Sequence, residues 1–435
     1  MNKELLYSFN VLKAVYIDDA YSSIELNKLL QNSAMEKVNT QLITKIVYGV
    51  LEKDIYLSYV LSLFCKKKPD EISELLLKMG IYILQNINSI PTYTCVNEIV
   101  EICKKYNSKF VCGFINATLK KISTSKIELP KENKVKYLSV KYSYPEWIVK
   151  KLIEEYGEEF VEKMLSYSLT TLTHIRINDR KTTIDEFKSL LKSKSINYEE
   201  SPLNNCLFVD YSELNKSKEF STYYAVQGIP SIVVCNNFPK NAKVDVLDLC
   251  SAPGGKSVLI ARNNPEGRII SCDIYENRLK LVKEYADKYG IKNIGYKVND
   301  AREINEKWIG KFDYVLCDVP CSNLGVVNKK PDVLLRKTNN NIKDLSKIQE
   351  DILNIASLYL KKGGVLIYST CTIMKEENQN ILKNFLDNHI NFEAVDINTC
   401  GIDVLKNGKF CTFIPHISKC EGFFIGGIKR RWQYY

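Results

Sequence analysis

Histidine is scarce in this chain, at His174, His389 and His416 only, and no two cysteines stand in CxxC spacing. A zinc site built from the usual ligands is therefore not expected, and the chemistry reads as metal-free. No run approaches the roughly eighteen uninterrupted apolar residues of a membrane span. The N-terminal MNKELLYSFNVLKAVYIDD lacks a basic segment followed by a long apolar run, so it does not read as a secretory signal. These absences point to a cytoplasmic protein without a membrane partner. They also bear on the 14 cysteines, most of which then read as small buried hydrophobes rather than a disulfide framework.

What is present is ordinary for a soluble globular protein, with 45% hydrophobic and 26% charged residues. At 435 residues the chain is long for one core, so two or three domains are expected. The formal net charge of +10 suits a polyanionic partner. The surplus is spread out, however: residues 1–125 hold 15 lysines and no arginine against 12 acidic residues, which leaves +7 elsewhere. Charge alone therefore argues only weakly for nucleic acid.

Residues 1–125 read as an all-α bundle. Leu5, Phe9, Leu12 and Tyr16 recur at helical spacing, as do Leu42, Ile46, Val50 and Leu51. Further helical stretches cover Ile72–Asn88, Val96–Tyr106 and Phe114–Ile122, and Lys66–Lys68 reads as a solvated loop. Residues 126–139, lysine-rich with Pro130, read as a linker. A small α+β domain follows over 140–222. In it SYPEWIVKKLIEEYG opens a helix at Pro145, HIRIND is a short strand, and Thr183 stands three residues before Glu186 as a capping box. Arg176, alone on that strand, reads as a surface residue rather than a phosphate contact. From 223 to 435 the rhythm is strand, turn, helix. VDVLDLC, RIISCDI, YVLCDV and GGVLIYST are apolar runs of strand length separated by helical patterns, which implies an α/β, doubly wound, Rossmann-like domain. GFFIGGIKRR reads as one more strand, and the tail KRRWQYY as either a disordered end or a weak RNA contact.

The first of those strands ends in LDLCSAPGGK, Leu247 to Lys256, before a helix. Glycines at such a turn let a ligand approach the backbone. GxGxxG is absent, so a dinucleotide is not indicated. Asp273 ends the second strand, where an acid can hold a ribose, and Asp300 closes the third, within reach of an adenine amine. A ribose and an adenine without a diphosphate describe S-adenosylmethionine. Cys321, in DVPCSNLG with Asp318, and Cys371, in YSTCT, fall at the same carboxyl edge. Carbon 5 of cytosine is a poor nucleophile until something adds at carbon 6, and a thiolate favoured by nearby cationic groups suits that step. Lys256 is a candidate local cation. A protonated Asp318 would bond the ring N3, and a second thiol would take the proton from carbon 5.

LDLCSAPGGK, DVPCSNLG and YSTCT in this order resemble the motifs of the RNA cytosine-C5 methyltransferases of the NOL1/NOP2/Sun group, with KKPDVLL after Cys321 and EEN after Cys371. VYGVLEKDIYLSYVL, LLLKMGIYILQNINSIPTYTCVNEIVEICKKY and GFINATLKKI resemble the RNA-binding NusB-type domain, a fusion similar to the bacterial Sun/RsmB family. The resemblance implies a monomer that methylates one cytosine of 16S ribosomal RNA, an activity of the cytosine-967 type, with S-adenosylmethionine as cofactor. It implies Cys371 as nucleophile and Cys321 as the residue that helps release product. Cys250, Ser251, Ala252, Pro253, Gly254, Gly255, Lys256, Asp273, Asp300 and Asp318 match cofactor-contacting positions. The chain departs from the family pattern at Gly228, where an acid is usual after the glutamine, at Glu52, where an arginine is common, and in NKKPD, which lacks the usual basic pair. Spacing by itself leaves the cysteine roles open, because DNA cytosine methyltransferases use the cysteine of a Pro-Cys pair, here Pro320-Cys321. A transfer-RNA substrate and a non-catalytic RNA-binding factor are the other readings.

Overall fold

The computed structural model describes residues 2–33, 38–131 and 133–432. Internal contacts divide the chain into two units, Met1–Ser166 with Val327–Lys337, and Tyr167–Val326 with Thr338–Tyr435.

The first unit is helical among the described residues. Leu5, Phe9 and Leu12 on the helix Lys3–Tyr16 and Ile46, Val50 and Leu51 on Thr40–Glu52 are buried in one core. Asn2, Asn39, Asp70 and Ser108 cap their helices by accepting a backbone N–H from the first turn. The core also encloses Lys78, which is tolerated there because its Nζ lies 2.6 Å from Asp54 and 3.0 Å from Glu74. The stretch read as a linker is not one throughout. The helix Lys134–Tyr142 starts inside it, capped by Asn133, with Leu138 and Val140 buried. Dense lysine hid those apolar positions in the sequence. The helices Glu146–Tyr156 and Glu158–Ser166 also belong to this unit. So does Val327–Lys337, where Asp332 accepts from the Ser22 N–H at 3.2 Å.

The second unit opens with a small antiparallel sheet of β1 (Thr173–Ile177), β2 (Tyr198–Glu200), β3 (Cys206–Val209) and β4 (Tyr224–Val226), in the order β2-β3-β1-β4. The helix Ile184–Ser193, with the expected Thr183–Glu186 capping box, packs Phe187 and Leu191 into its core. A nine-stranded sheet follows: β5 (Asp245–Asp248), β6 (Arg268–Asp273), β7 (Ile294–Val298), β8 (Phe312–Asp318), β9 (Leu360–Thr370), β10 (Phe392–Val395), β11 (Leu405–Asn407), β12 (Phe410–Phe413) and β13 (Phe423–Arg430). The order is β11-β12-β13-β9-β8-β5-β6-β7, with β10 on β13. The run from β9 to β7 is parallel, whereas β13 is antiparallel to β9. The expected doubly wound core is therefore present, extended by an antiparallel flank. From β5 the chain goes first to β6 on one side and later to β8 on the other. This switch opens a crevice at the carboxyl ends of β5 and β8. Because Phe424 of β13 lies opposite Thr370 of β9, the start of β13 shares that edge. Trp432 packs over Gly363, and Gln433–Tyr435 of the tail KRRWQYY lie outside the described residues. No helix among the described residues is long and apolar enough to cross a membrane.

Candidate active site

The turn after β5 is held open by its own backbone. Gly254 has φ +109°, and a Cβ there would lie 3.0 Å from the Val282 Cα, so only glycine fits. The Ser251 N–H and Oγ both donate to the Cys272 carbonyl, at 2.8 and 2.9 Å, which ties the turn to β6. The Ala252–Pro253 peptide is cis, and Arg278 donates to the Ala252 carbonyl at 3.3 Å. Burial pushes the Cys250 thiol well above its usual range, so it stays protonated. The Gly255 carbonyl accepts from Gln227 Nε2 at 3.2 Å. Asp273, buried at the end of β6, accepts from the Tyr275 N–H and lies 3.3 Å from Arg278. Asp300 lies two residues beyond β7, which ends at Val298, and Arg302 grips both Asp300 oxygens, at 3.0 and 2.6 Å, which lowers the carboxyl's pKa.

Lys256 and Asp318 meet in the crevice, Nζ to Oδ2 at 2.7 Å, while Ser369 Oγ donates to Asp318 Oδ1 at 2.6 Å. Both Asp318 oxygens are thereby engaged, one by Lys256 and one by Ser369. Burial draws the Lys256 pKa down, but Asp318 more than restores it, and the ammonium stays charged. Its other neighbour is the Phe423 ring, 5.5 Å to the centroid.

The two predicted thiols lie together. Cys321 Sγ is 3.3 Å from Cys371 Sγ, and the Cys371 thiol donates to Asn323 Oδ1 at 2.8 Å. Cys321 is buried and Cys371 half-buried. The hydrogen bond to Cys371, then burial, hold the Cys321 pKa well above its usual value. Five hydrogen bonds without a sequence signature fix this geometry. Glu377, fully buried, accepts from the Ser322 N–H at 2.8 Å, from Ser322 Oγ at 2.5 Å and from Gln349 Nε2 at 3.1 Å. The Gly325 N–H donates to the Cys371 carbonyl at 2.9 Å, and Gly422 donates to Gly325 at 2.8 Å. A Cβ on Gly325 would overlap the Gly422 carbonyl at 1.9 Å. The EEN motif was the available signal for Glu377, but nothing in the sequence indicated its partner.

Asp248, also missed, lies under the cofactor turn. Ser257 Oγ donates to its Oδ2 at 2.5 Å, while Oδ1 is buried without a partner. Burial raises its pKa to about 7. The folded chain thus holds this proton more tightly than the unfolded chain. The stabilisation is full below about pH 4, the ordinary carboxylate range, and is lost as pH rises through 7. At about 1.4 kcal/mol per pKa unit the swing is on the order of a few kcal/mol. Asp248→Asn is expected to flatten the fall in melting temperature between pH 4.5 and 7.5; equal slopes in variant and parent would contradict this.

Arg176 corrects an expectation: it is buried, and its Nε donates to Gln227 Oε1 at 3.2 Å. Gln227 thereby links β1 to Gly255 of the cofactor turn. Next to it, a Cβ at Gly228 would lie 2.4 Å from Glu421 Oε1. At the position where the family pattern has an acid, the carboxylate present is thus that of Glu421. Among the described residues no group of three or more His, Cys, Asp or Glu is placed to hold a metal ion.

A family model described as 16S rRNA methyltransferase RsmB/F matches residues 237–429, one for the NusB family matches 3–124, and one for the RsmF/B-like ferredoxin-like domain matches 144–211. The chain is 31% identical to the probable ribosomal RNA small subunit methyltransferase B of Bacillus subtilis, over 95% of this chain and 96% of that one. It is 28% identical to ribosomal RNA small subunit methyltransferase B of Yersinia pestis, over 82% of each. Among solved structures, PH0851 aligns with a TM-score of 0.83 at 23% identity, over 98% of both chains. NSun6 from Pyrococcus horikoshii with SFG aligns with a TM-score of 0.57 at 23% identity, over 66% of this chain and 97% of that one.

Proposed function

Since the chain belongs to the RsmB/F family of 16S rRNA methyltransferases, we propose that it transfers a methyl group from S-adenosylmethionine to carbon 5 of one cytosine in 16S ribosomal RNA. The expected target is of the cytosine-967 type, and the enzyme acts as a monomer in the cytoplasm. The observation that carries this reading is the pair of thiols 3.3 Å apart beside the Lys256–Asp318 ion pair.

The residues fit the cofactor. Cys250 to Lys256 form a turn on which no side chain at Gly254 intrudes, Asp273 offers a buried carboxylate for a ribose, and Asp300 a carboxylate for an adenine amine. When bound, S-adenosylmethionine supplies the electrophilic methyl group. The chain's own residues do the rest. Cys371, as thiolate, forms a bond to carbon 6 of a cytosine held out of its stack, and the carbon 5–carbon 6 double bond gives up its electron pair toward carbon 5 and N3. Asp318 and Lys256 lie beside the crevice to meet the polar edge of the ring. After methylation Cys321, its own thiol proton having passed to solvent, takes the carbon 5 proton. The carbon 5–hydrogen electron pair re-forms the carbon 5–carbon 6 double bond, and the bond from carbon 6 to Cys371 breaks with its electron pair returning to the Cys371 sulfur. A sulfur with a raised pKa is a strong base once it has given up its proton, which suits this role.

The test is transfer of labelled methyl to naked 16S RNA, assembled small subunits and bulk transfer RNA, followed by bisulfite sequencing of the labelled RNA. A single cytosine labelled in 16S RNA, naked or in the assembled subunit, is expected. Labelling of transfer RNA alone would overturn the substrate, and labelling of none would overturn the reaction.

A further inference from the structure

The second unit carries a groove of about 950 Å³ lined by β1, the residues just before β3 and the carboxyl end of the helix Gly255–Asn263. Arg262 lies six residues from Lys256 along that helix, roughly 9 Å at 1.5 Å per residue, on the far side from the thiols. Arg176, Arg180, Lys240 and Arg262 line the groove, and Asp179 is the only acid in its lining. Of the two inner cations, Arg262 is not fully served. Arg262 donates through Nη2 to Asp179, but its Nε is buried without a hydrogen-bond partner. Burial and then the field of Arg176 lower the Arg262 pKa to about 10, so the two guanidiniums repel each other. Arg176 is buried and Arg262 half-buried. The one acid in the lining, the exposed Asp179, is already paired with Arg262, so the groove has cationic surface left for an anion to meet. Guanidinium forks match phosphate oxygens, and asparagine amides such as those lining the rest of the groove bond sugars and phosphates.

We propose that this groove binds consecutive phosphodiesters of the substrate RNA outside the target nucleotide, with Arg262 exchanging Asp179 for a phosphate oxygen as the strand enters. The proposal rests on the reading of RNA as substrate. A strand fits better than a free anion because the four cations do not converge on one point: Arg176 is buried at the floor, whereas Arg180 and Lys240 are exposed at the rim. The site also has a route to the chemistry. Arg176 Nε donates to Gln227, whose amide in turn donates to the Gly255 carbonyl, so a phosphate seated on Arg176 braces the cofactor turn.

The test uses the full chain and a fluorescent naked 16S fragment, with Kd measured at several salt concentrations for the parent, Arg180→Ala, Lys240→Ala, the double variant and Asp179→Asn. Each exposed cation removed is expected to weaken binding roughly 3- to 10-fold, and the double variant to flatten the log Kd against log salt slope by about 0.7–0.9 per lost phosphate contact. Asp179→Asn, which removes the competing acid, is expected to tighten binding. S-adenosylmethionine binding, followed in parallel, should be unchanged in the rim variants. A double variant with the parent's Kd and slope would overturn the proposal. So would thermal stabilisation of the parent alone by inorganic pyrophosphate with RNA affinity unaltered, which would assign the groove to a free phosphorylated ligand. A parent chain that binds no RNA would instead overturn the substrate reading itself.

Discussion

Cys371→Ala is expected to abolish methyl transfer, by on the order of a thousandfold or more, and Cys321→Ala to leave the protein bound to RNA in a denaturant-resistant adduct. The asymmetry of the two thiols motivates the assignment. Cys371 is half-buried at the end of β9, and its S–H is oriented by Asn323 Oδ1 at 2.8 Å. Cys321 is 7% exposed, and its pKa is raised by Cys371 and by burial. An incoming ring meets Cys371 first, whereas Cys321 is placed to exchange a proton over a short distance. Without Cys321 the covalent bond still forms, but the proton on carbon 5 has no acceptor and the adduct persists. The opposite pattern, with Cys371→Ala trapping the adduct and Cys321→Ala unable to form one, would give the attacking role to the Pro320-Cys321 pair. Electrophoresis under denaturing conditions with labelled RNA separates the two outcomes.

Much of the architecture was legible because parallel strands buried on both faces read as continuous apolar runs. VDVLDLC and RIISCDI each contain a strand of the sheet, and YVLCDV and GGVLIYST cover the carboxyl-terminal parts of two longer ones. Their carboxyl ends carry the turn at Gly254, Asp273, Asp318 and Cys371, since a doubly wound sheet brings those ends to one edge. What escaped had weak local signal or depended on distant partners. The strands β10, β11 and β12 are three or four residues long, too short for alternation to stand out. Arg176 was read as exposed because its acceptor, Gln227, is 51 residues away. Asn323 and Cys371 are 48 residues apart, and Ser322 and Glu377 are 55 apart. The motifs marked which loops matter, but the hydrogen bonds joining those loops exist only once the strands have paired.

The last of those bonds supports the other large effect. Glu377→Ala is expected to lower both stability and activity, because it strands the Ser322 N–H and removes one acceptor each from the Ser322 hydroxyl and the Gln349 amide, which keep only Thr372 Oγ1 and the Pro320 carbonyl. Leaving a buried donor without its acceptor typically costs about 1–3 kcal/mol. The activity loss should exceed what stability explains. Ser322 follows Cys321 directly, and a misplacement of about 1 Å can cost on the order of a hundredfold in rate. Glu377→Gln separates the two effects. It keeps the side chain's size and one acceptor, so the melting temperature should largely recover. Its amide, however, points a donor at Ser322 or Gln349, and turnover should recover less. The pH dependence supplies a second check. Burial raises the Glu377 pKa above its ordinary value near 4.5, so its contribution to folding is full below that pH and declines as pH rises through the raised value. The Gln variant, which cannot ionise, should lose that decline. Parent-like turnover and melting temperature in Glu377→Ala would mean that the cysteine loops hold their 3.3 Å separation without this carboxylate, leaving the glycine contacts between Gly325, Gly422 and the Cys371 carbonyl to position the nucleophile.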